Sequence, residues 1–353
     1  MKALVLGGTG AMGSHVCEKL ANRGWDITVT TRRPRESGSP HISFAVGNAH
    51  DQVFLDCLLD SKWDAIVDFM VWSTAEFSER YKKLLSAAEQ YVFTSSYRVY
   101  ADSSVITEES PRLLDAVDDD EYLATDEYAL SKARCENLLL AEPGCNWTII
   151  RPAVTYDGAV GRLQLAVLES DEWLWRALHQ ISVPLPAAML EKQSTMSWGG
   201  DVAEMISRLV GNSMALGEVF TVSGSDHMTW SQVADAYREV LPSLEVVPCE
   251  LSEFERHRGG VYQIRYDRMF NRVIDNSKIL SVTGMTQEGL KGMRETLPEE
   301  LALYLASEPS LPSRPGFQGK LDRLTGGVPS FAAVAATSGF VGASKYLVRR
   351  VLK

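Results

Sequence analysis

From its second residue the chain alternates between short apolar runs and longer segments whose apolar residues recur every three or four positions. Ala3-Leu4-Val5-Leu6 suits a strand buried on both faces, and Ser14 to Arg23 carries Val16 and Leu20 one turn apart before Gly24, which predicts a helix. The rhythm then repeats. Asp26–Thr31, Ile42–Val46, Ala65–Val71, Tyr91–Thr94 and Trp147–Arg151 read as strands, with helices expected over Asp51–Ser61, Ser78–Glu89 and Tyr128–Leu140. Strands that alternate with helices need crossover connections, and right-handed crossovers build a doubly wound parallel α/β sheet whose ligands lie beyond the carboxyl ends of the strands.

After Pro152 the periodicity weakens. Leu163–His179 is long and apolar, with Trp173 and Trp175, and reads as one helix or two in which the tryptophans are core. Glu218–Val222 reads as a strand and Trp230–Leu241 as a helix, so a smaller mixed α/β portion is expected. The resulting division is residues 1–151 for the parallel sheet, with helix 127–141 inside it, 152–306 for a mainly substrate-binding portion, and 307–353 for a linker and tail. Pro309, Pro312 and Pro315 recur every third residue, a spacing that suits an extended linker. Beyond it the apolar run Phe331–Ala336 is interrupted by Thr337, Ser338 and Gly339, short of a membrane span, and a basic stretch from Lys345 follows. That tail is expected to pack on its own fold or on a second subunit.

Composition narrows the classes. The 353 residues, 45% hydrophobic, can bury a full core, while a net charge of -11 argues against a binder of duplex nucleic acid and leaves room for a small anionic ligand in a local pocket. Five scattered cysteines, with no Cys-x-x-Cys pair and no His/Cys cluster, predict reduced thiols in a cytoplasmic protein without a metal site. The apolar run at the N-terminus stops at glycines after four residues, unlike a secretory signal.

The chemistry is carried by three stretches. Gly7-Gly8-Thr9-Gly10-Ala11-Met12-Gly13 joins the first strand to the first helix, the context of a dinucleotide fingerprint in a Rossmann-type fold. Gly7 is expected to make the tight turn, Gly10 to admit a pyrophosphate close to the backbone alongside Ala11 and Met12, and Gly13 to let helix and strand pack. At the end of the second strand stand Thr31, Arg32 and Arg33 instead of an acidic partner for a ribose 2'-hydroxyl, which favours NADP(H), with NAD(H) the alternative; Asn48, after the third strand, could meet the adenine. Asp68, inside the fourth strand, reads as a structural carboxylate. Tyr128 and Lys132 share one helix face behind candidate caps Thr125 and Asp126, and a cation beside a phenol brings proton exchange toward neutrality. Thr94, Ser95 and Ser96 lie at a strand end where a hydroxyl can hold a carbonyl oxygen.

With Phe93-Thr94-Ser95-Ser96-Tyr97-Arg98-Val99-Tyr100, Tyr128-Ala129-Leu130-Ser131-Lys132 and Ile150-Arg151-Pro152, the glycine motif makes residues 1 to about 290 resemble the extended short-chain dehydrogenase/reductase family, in its NAD-dependent epimerase/dehydratase branch. The resemblance implies Ser96, Tyr128 and Lys132 as catalytic residues, Lys132 also holding the nicotinamide ribose, and a nucleotide-activated sugar as substrate. Three departures matter. Ser96 is followed by Tyr97-Arg98 where family dehydratases tend to carry Asp-Glu, and Ser194 stands where a phosphate-binding arginine is common, leaving Arg162, Arg265 and Arg268 as candidate substitutes. Family epimerases that retain NAD usually carry an acidic residue where Thr31 and the arginines stand, so the expectation is a keto-sugar reductase, with a nucleotide-sugar epimerase as the near alternative and a non-catalytic cofactor-binding regulatory protein as the alternative of another class. A homodimer is an open alternative to a monomer.

Overall fold

The computed structural model describes residues 1–224 and 226–351. Seven strands form one parallel sheet: β1 (Lys2–Leu6), β2 (Asp26–Thr31), β3 (Ile42–Val46), β4 (Trp63–Asp68), β5 (Ala88–Thr94), β6 (Trp147–Pro152) and β7 (Glu218–Val222), in spatial order β7-β6-β5-β4-β1-β2-β3. The register sets Val5 beside Val29 and Val67, and Phe93 beside Ile149. Ala3 to Leu6 are fully buried, as a strand covered on both faces requires. The helices used below are α1 (Gly13–Asn22), α2 (Gln52–Leu59), α3 (Thr74–Ala87), α4 (Tyr128–Leu140), α5 (Ser170–Leu178), α6 (Gly199–Leu209), α7 (Trp230–Val240), α8 (Leu251–Arg258), α9 (Met293–Ala306), α10 (Pro315–Thr325) and α11 (Phe331–Val351).

The chain divides into two compact units. The first comprises Met1–Thr155, Thr195–Ser225 and Ile274–Lys291. One face of its sheet is covered by α1 and α6 through Val16, Leu20, Ile206 and Leu209, the other by α2, α3 and α4 through Leu55, Phe77, Leu84 and Leu139. Strand order reverses between β1 and β4, the switch point where open α/β sheets bind ligands. A contiguous boundary at residue 151 therefore does not hold. Phe220 pairs with Ile150 and is fully buried, so β7 belongs to the large sheet, and Asn276 follows it in by donating to the Ser223 and Gly224 carbonyls at 3.1 and 3.0 Å.

The second unit comprises Tyr156–Ser194, Asp226–Val273 and Gly292–Lys353. Its first helix begins only at Ser170, because Leu165 and Leu168 close a buried turn with Ala166 at φ 53°, a conformation that no helix continues. Trp173 stacks on Tyr237 at 4.8 Å and is core, as the sequence predicts. The tail is mostly helical: Pro315 opens α10, where its missing N–H costs nothing. Buried Arg176 donates to Asp322 at 2.8 Å, and Tyr346 donates to the same carboxylate at 2.5 Å, tying both tail helices to this unit. All five cysteines are free, and burial pushes the Cys17 and Cys135 thiols up to about 12, too high for ready thiolate chemistry.

Candidate active site

The glycine turn is shaped by what a side chain would strike. Gly7 has φ +69°, reserved in practice for glycine, and its N–H donates to Thr30 Oγ1 at 2.9 Å. A Cβ on Gly13 would lie 2.5 Å from Gly8 Cα, so the start of α1 rests directly on the turn. A Cβ on Gly10 would meet nothing within 4 Å. Gly10 thus owes its identity to no neighbour within the protein and faces open space, the arrangement a backbone-hugging anion needs. The start of α1 is unprotected: Met12 occupies the cap with no side-chain hydrogen bond, and the first turn holds no acidic residue. The Ser14 N–H is turned back to the Gly10 carbonyl at 3.1 Å, and the positive end of the helix dipole is available to a pyrophosphate.

At the end of β2, Thr31 is buried and its hydroxyl donates to the Arg33 carbonyl at 2.8 Å, so it shapes the turn from within. Arg32 and Arg33 are exposed, and neither forms an ion pair among the described residues. Arg35 and Ser39 join Gly8, Thr9 and Ser14 around a cleft of about 300 Å³ beside the glycine turn. Asn48 is exposed and its Oδ1 accepts the His50 N–H at 3.2 Å, leaving the amide NH2 free to donate.

Across the switch point, α4 presents Tyr128 and Lys132. Thr125 and Asp126 do not cap it: Glu127 does, accepting the Ala129 N–H at 2.8 Å, while Asp126 accepts from Thr74 N and Oγ1 at 3.0 and 2.6 Å. Lys132 is buried, and its ammonium donates to the carbonyls of Met70 (2.9 Å) and Thr94 (2.6 Å), which leaves one N–H of three for a ligand. Its Nζ lies 5.9 Å from the Tyr128 ring centre, and the Arg98 guanidinium lies 5.1 Å from the same ring. Arg98 is held by Glu127 at 2.6 Å. The Tyr128 hydroxyl is half-buried and bonds neither Ser96 nor Lys132 among the described residues. Ser96 caps the turn Tyr97–Val99, accepting the Arg98 N–H at 3.2 Å and keeping its own proton to give. Beside it, Thr94 Oγ1 and Ser95 Oγ are buried without hydrogen-bond partners. Unpaired buried hydroxyls are costly, and here they lie at the carboxyl end of β5, where Lys132 donates to the Thr94 carbonyl.

Asp68 is structural, as its position in β4 suggests. It accepts from Tyr91 Oη (2.6 Å), Trp72 Nε1 (2.8 Å) and Met70 N (2.8 Å), while desolvation raises its pKa. Sequence reasoning missed the brace behind α4. Buried Glu136 takes a fork from Arg151 at 2.8 and 2.7 Å and a third contact from Arg112 at 3.2 Å. The signal was available, because Glu136 follows Lys132 by four residues and so lies on the same face of the helix.

Of the three arginines considered for an anion clamp, Arg268 and Arg265 are committed to carboxylate partners. Arg268 is built into the second unit, donating to Ala166 O at 2.9 Å and Gln164 Oε1 at 3.0 Å and pairing with Asp267, so it is a structural cation. Arg265 is fork-paired to Glu255 at 2.8 Å through both nitrogens. Arg162 stands exposed in the hairpin facing Asp157.

Residues 3–158 match the NAD dependent epimerase/dehydratase family. The glycine turn, open at Gly10, and the hydroxyls of Thr94 and Ser95, without partners among the described residues, fit a bound dinucleotide. Over 290 residues the chain is 27% identical to the chloroplast stem-loop binding protein of 41 kDa b of Arabidopsis thaliana, covering 77% of this chain and 72% of that one. The fold is similar to that of UDP-N-acetylglucosamine 4-epimerase from Methanobrevibacter ruminantium, solved with UDP-N-acetylmuramic acid (TM-score 0.66, 15% identity, 87% of this chain and 99% of that one). It is also similar to MoeE5 solved with UDP-glucuronic acid and NAD (TM-score 0.65, 18% identity, 87% and 100%). The two structural likenesses show that the fold is shared.

Proposed function

We propose that the protein is an NADP(H)-preferring oxidoreductase acting on the keto form of a nucleotide-activated sugar. A nicotinamide cofactor, when bound, supplies the hydride. The chain's residues do the rest: Ser96 donates a hydrogen bond that holds the substrate oxygen, Tyr128 gives or takes that oxygen's proton, and Lys132 offers its remaining N–H to the nicotinamide ribose. The roles of Gly7, Gly10, Ala11 and Met12 at the pyrophosphate, of Gly13 in seating α1 on that turn, of Thr31, Arg32 and Arg33 at the 2'-phosphate and of Asn48 at the adenine belong to the same reading. The observation that carries it is the cluster at the strand ends, where buried Lys132 has one donor unspent beside the partnerless Thr94 and Ser95 hydroxyls. The cofactor preference rests on the unpaired guanidiniums after β2.

The nearest competitor is an epimerase, which removes hydride and returns it to the other face of the same carbon. Incubation with NADPH and a keto-sugar nucleotide separates the two: stoichiometric loss of nicotinamide absorbance supports reduction, and isomer exchange without loss supports epimerisation. The name of the Arabidopsis relative brings a reading of another class, a nucleic-acid-binding protein on the same fold. The net charge of -11 speaks against it, and a gel-shift titration of a stem-loop RNA across salt concentrations tests it.

A further inference from the structure

The second unit carries a feature the proposed chemistry does not use. Arg256 and His257 of α8, Lys320 and Arg323 of α10, and Arg349 and Arg350 of α11 line a concave pocket of about 720 Å³. Glu253 pairs with Arg256 at 2.9 Å, yet five permanent cations from three helices gather here in a chain whose net charge is -11. Such a concentration of one sign selects an anionic surface or ligand.

The neighbouring helix face is equally out of place. After Gly339, α11 shows Phe340, Val341, Leu347, Val348 and Val351 to solvent, Phe340 at 87% and Val351 at 70% exposure. At 100° per residue these positions fall in one arc, opposite Gly342 and Tyr346, which are buried. Val351 also lines the cationic pocket, so apolar face and cations are continuous. An outward apolar arc flanked by Lys345 on one side and Arg350 on the other is the pattern of a helix lying in a lipid interface.

We propose that α11 docks this protein on an anionic phospholipid surface, with Phe340, Val341, Val348 and Val351 entering the acyl boundary and the Arg256–Lys320–Arg349 pocket receiving headgroup phosphates. The helix lies on the bilayer and does not cross it. Its 21 residues meet the hydropathy and length of a span, but Gly339 at φ 60°, ψ -162° divides them. Lys345, Arg349 and Arg350 then follow within the second piece, and cations at the centre of a bilayer are costly. A nucleic acid would use the cations but would leave the apolar arc in water, which is why the lipid surface is favoured.

The test is flotation of the full chain with phosphatidylcholine vesicles, with and without phosphatidylglycerol. Binding is expected only to the anionic vesicles and is expected to be reversed by high salt. Phe340→Asp, at an exposed position, should lower binding at least about tenfold, and Arg349→Gln with Arg256→Gln should lower it about fivefold per cation, both with unchanged thermal melts. Resistance to salt and to alkaline extraction would overturn the surface placement. Equal binding by Phe340→Asp, binding to a stem-loop RNA but not to vesicles, capture of free inorganic phosphate without vesicle binding, or a Phe340-dependent dimer that ignores vesicles would each overturn the proposal.

Discussion

Gly10 and Gly13 separate binding from folding in a single pair of substitutions. An alanine Cβ at position 13 would stand 2.5 Å from Gly8 Cα and 2.7 Å from Gly8 C, against about 3.5–4.0 Å for carbon atoms in comfortable contact. Both are backbone atoms of the turn and cannot rotate aside, so overpacking should cost about 1–3 kcal/mol, partly offset by the better helix propensity of alanine. For a unit of this size that lowers Tm by about 2–4 °C per kcal/mol. Gly10→Ala meets nothing within 4 Å and should melt within about 0.5 kcal/mol of the parent. Its methyl group, however, occupies the space a pyrophosphate must enter, and each charge-assisted amide bond lost there is worth about 1.5–3 kcal/mol, or about ten- to a hundredfold in affinity. The assay is thermal melting with and without NADP+, because ligand at a hundred times Kd stabilises by about 2.7 kcal/mol. The parent and Gly13→Ala should both show the cofactor shift, Gly13→Ala from a lower start, and Gly10→Ala should show none. A Gly10→Ala protein that keeps the full shift would refute this account of the turn.

Three further outcomes follow from the same geometry. Glu136→Ala strands buried Arg151, so the unfolding free energy should fall by about 3–5 kcal/mol in chemical denaturation, with hydride transfer per folded molecule also reduced because α4 loses its brace. Arg32→Ser with Arg33→Ser removes the two unpaired cations after β2 and should weaken NADP+ far more than NAD+ in parallel calorimetric titrations; equal losses would show the arginines to be merely solvated. The Ser73 N–H, with Ser73 Oγ and His50, holds the Glu76 carboxyl down at about 2, below the ordinary 4.5. A depressed carboxyl stabilises above its unfolded pKa and loses that contribution as pH falls, so stability should decline between about 4.5 and 2, and Glu76→Gln should flatten that limb.

The parallel sheet was legible because its strands are buried on both faces and read as unbroken apolar runs, as at Ala3–Leu6. Within the glycine turn, Gly7 and Gly13 were legible as single positions, since one needs a positive φ and the other a close approach to Gly8. The helix bearing Tyr128 was also visible, but its cap was not: Asp126 is as good a capping residue as Glu127, and only the distant Thr74 decides between them. The same limit applies to β7. Its sequence announces a strand, yet the sheet it joins depends on contact with β6, some seventy residues earlier in the chain. Arg268 shows the hardest case. As a sequence position it is a free cation, and only the fold turns it into a buried partner of Asp267 and Gln164.

The central claim is that the Tyr128 phenol handles the proton while hydride crosses to or from the nicotinamide. Single-turnover hydride transfer by Tyr128→Phe, measured alongside NADP+ affinity, tests it most directly. Transfer should fall by about 10²–10⁴-fold, with affinity for the cofactor within about twofold of the parent; transfer at the parental rate with the cofactor still bound would contradict it.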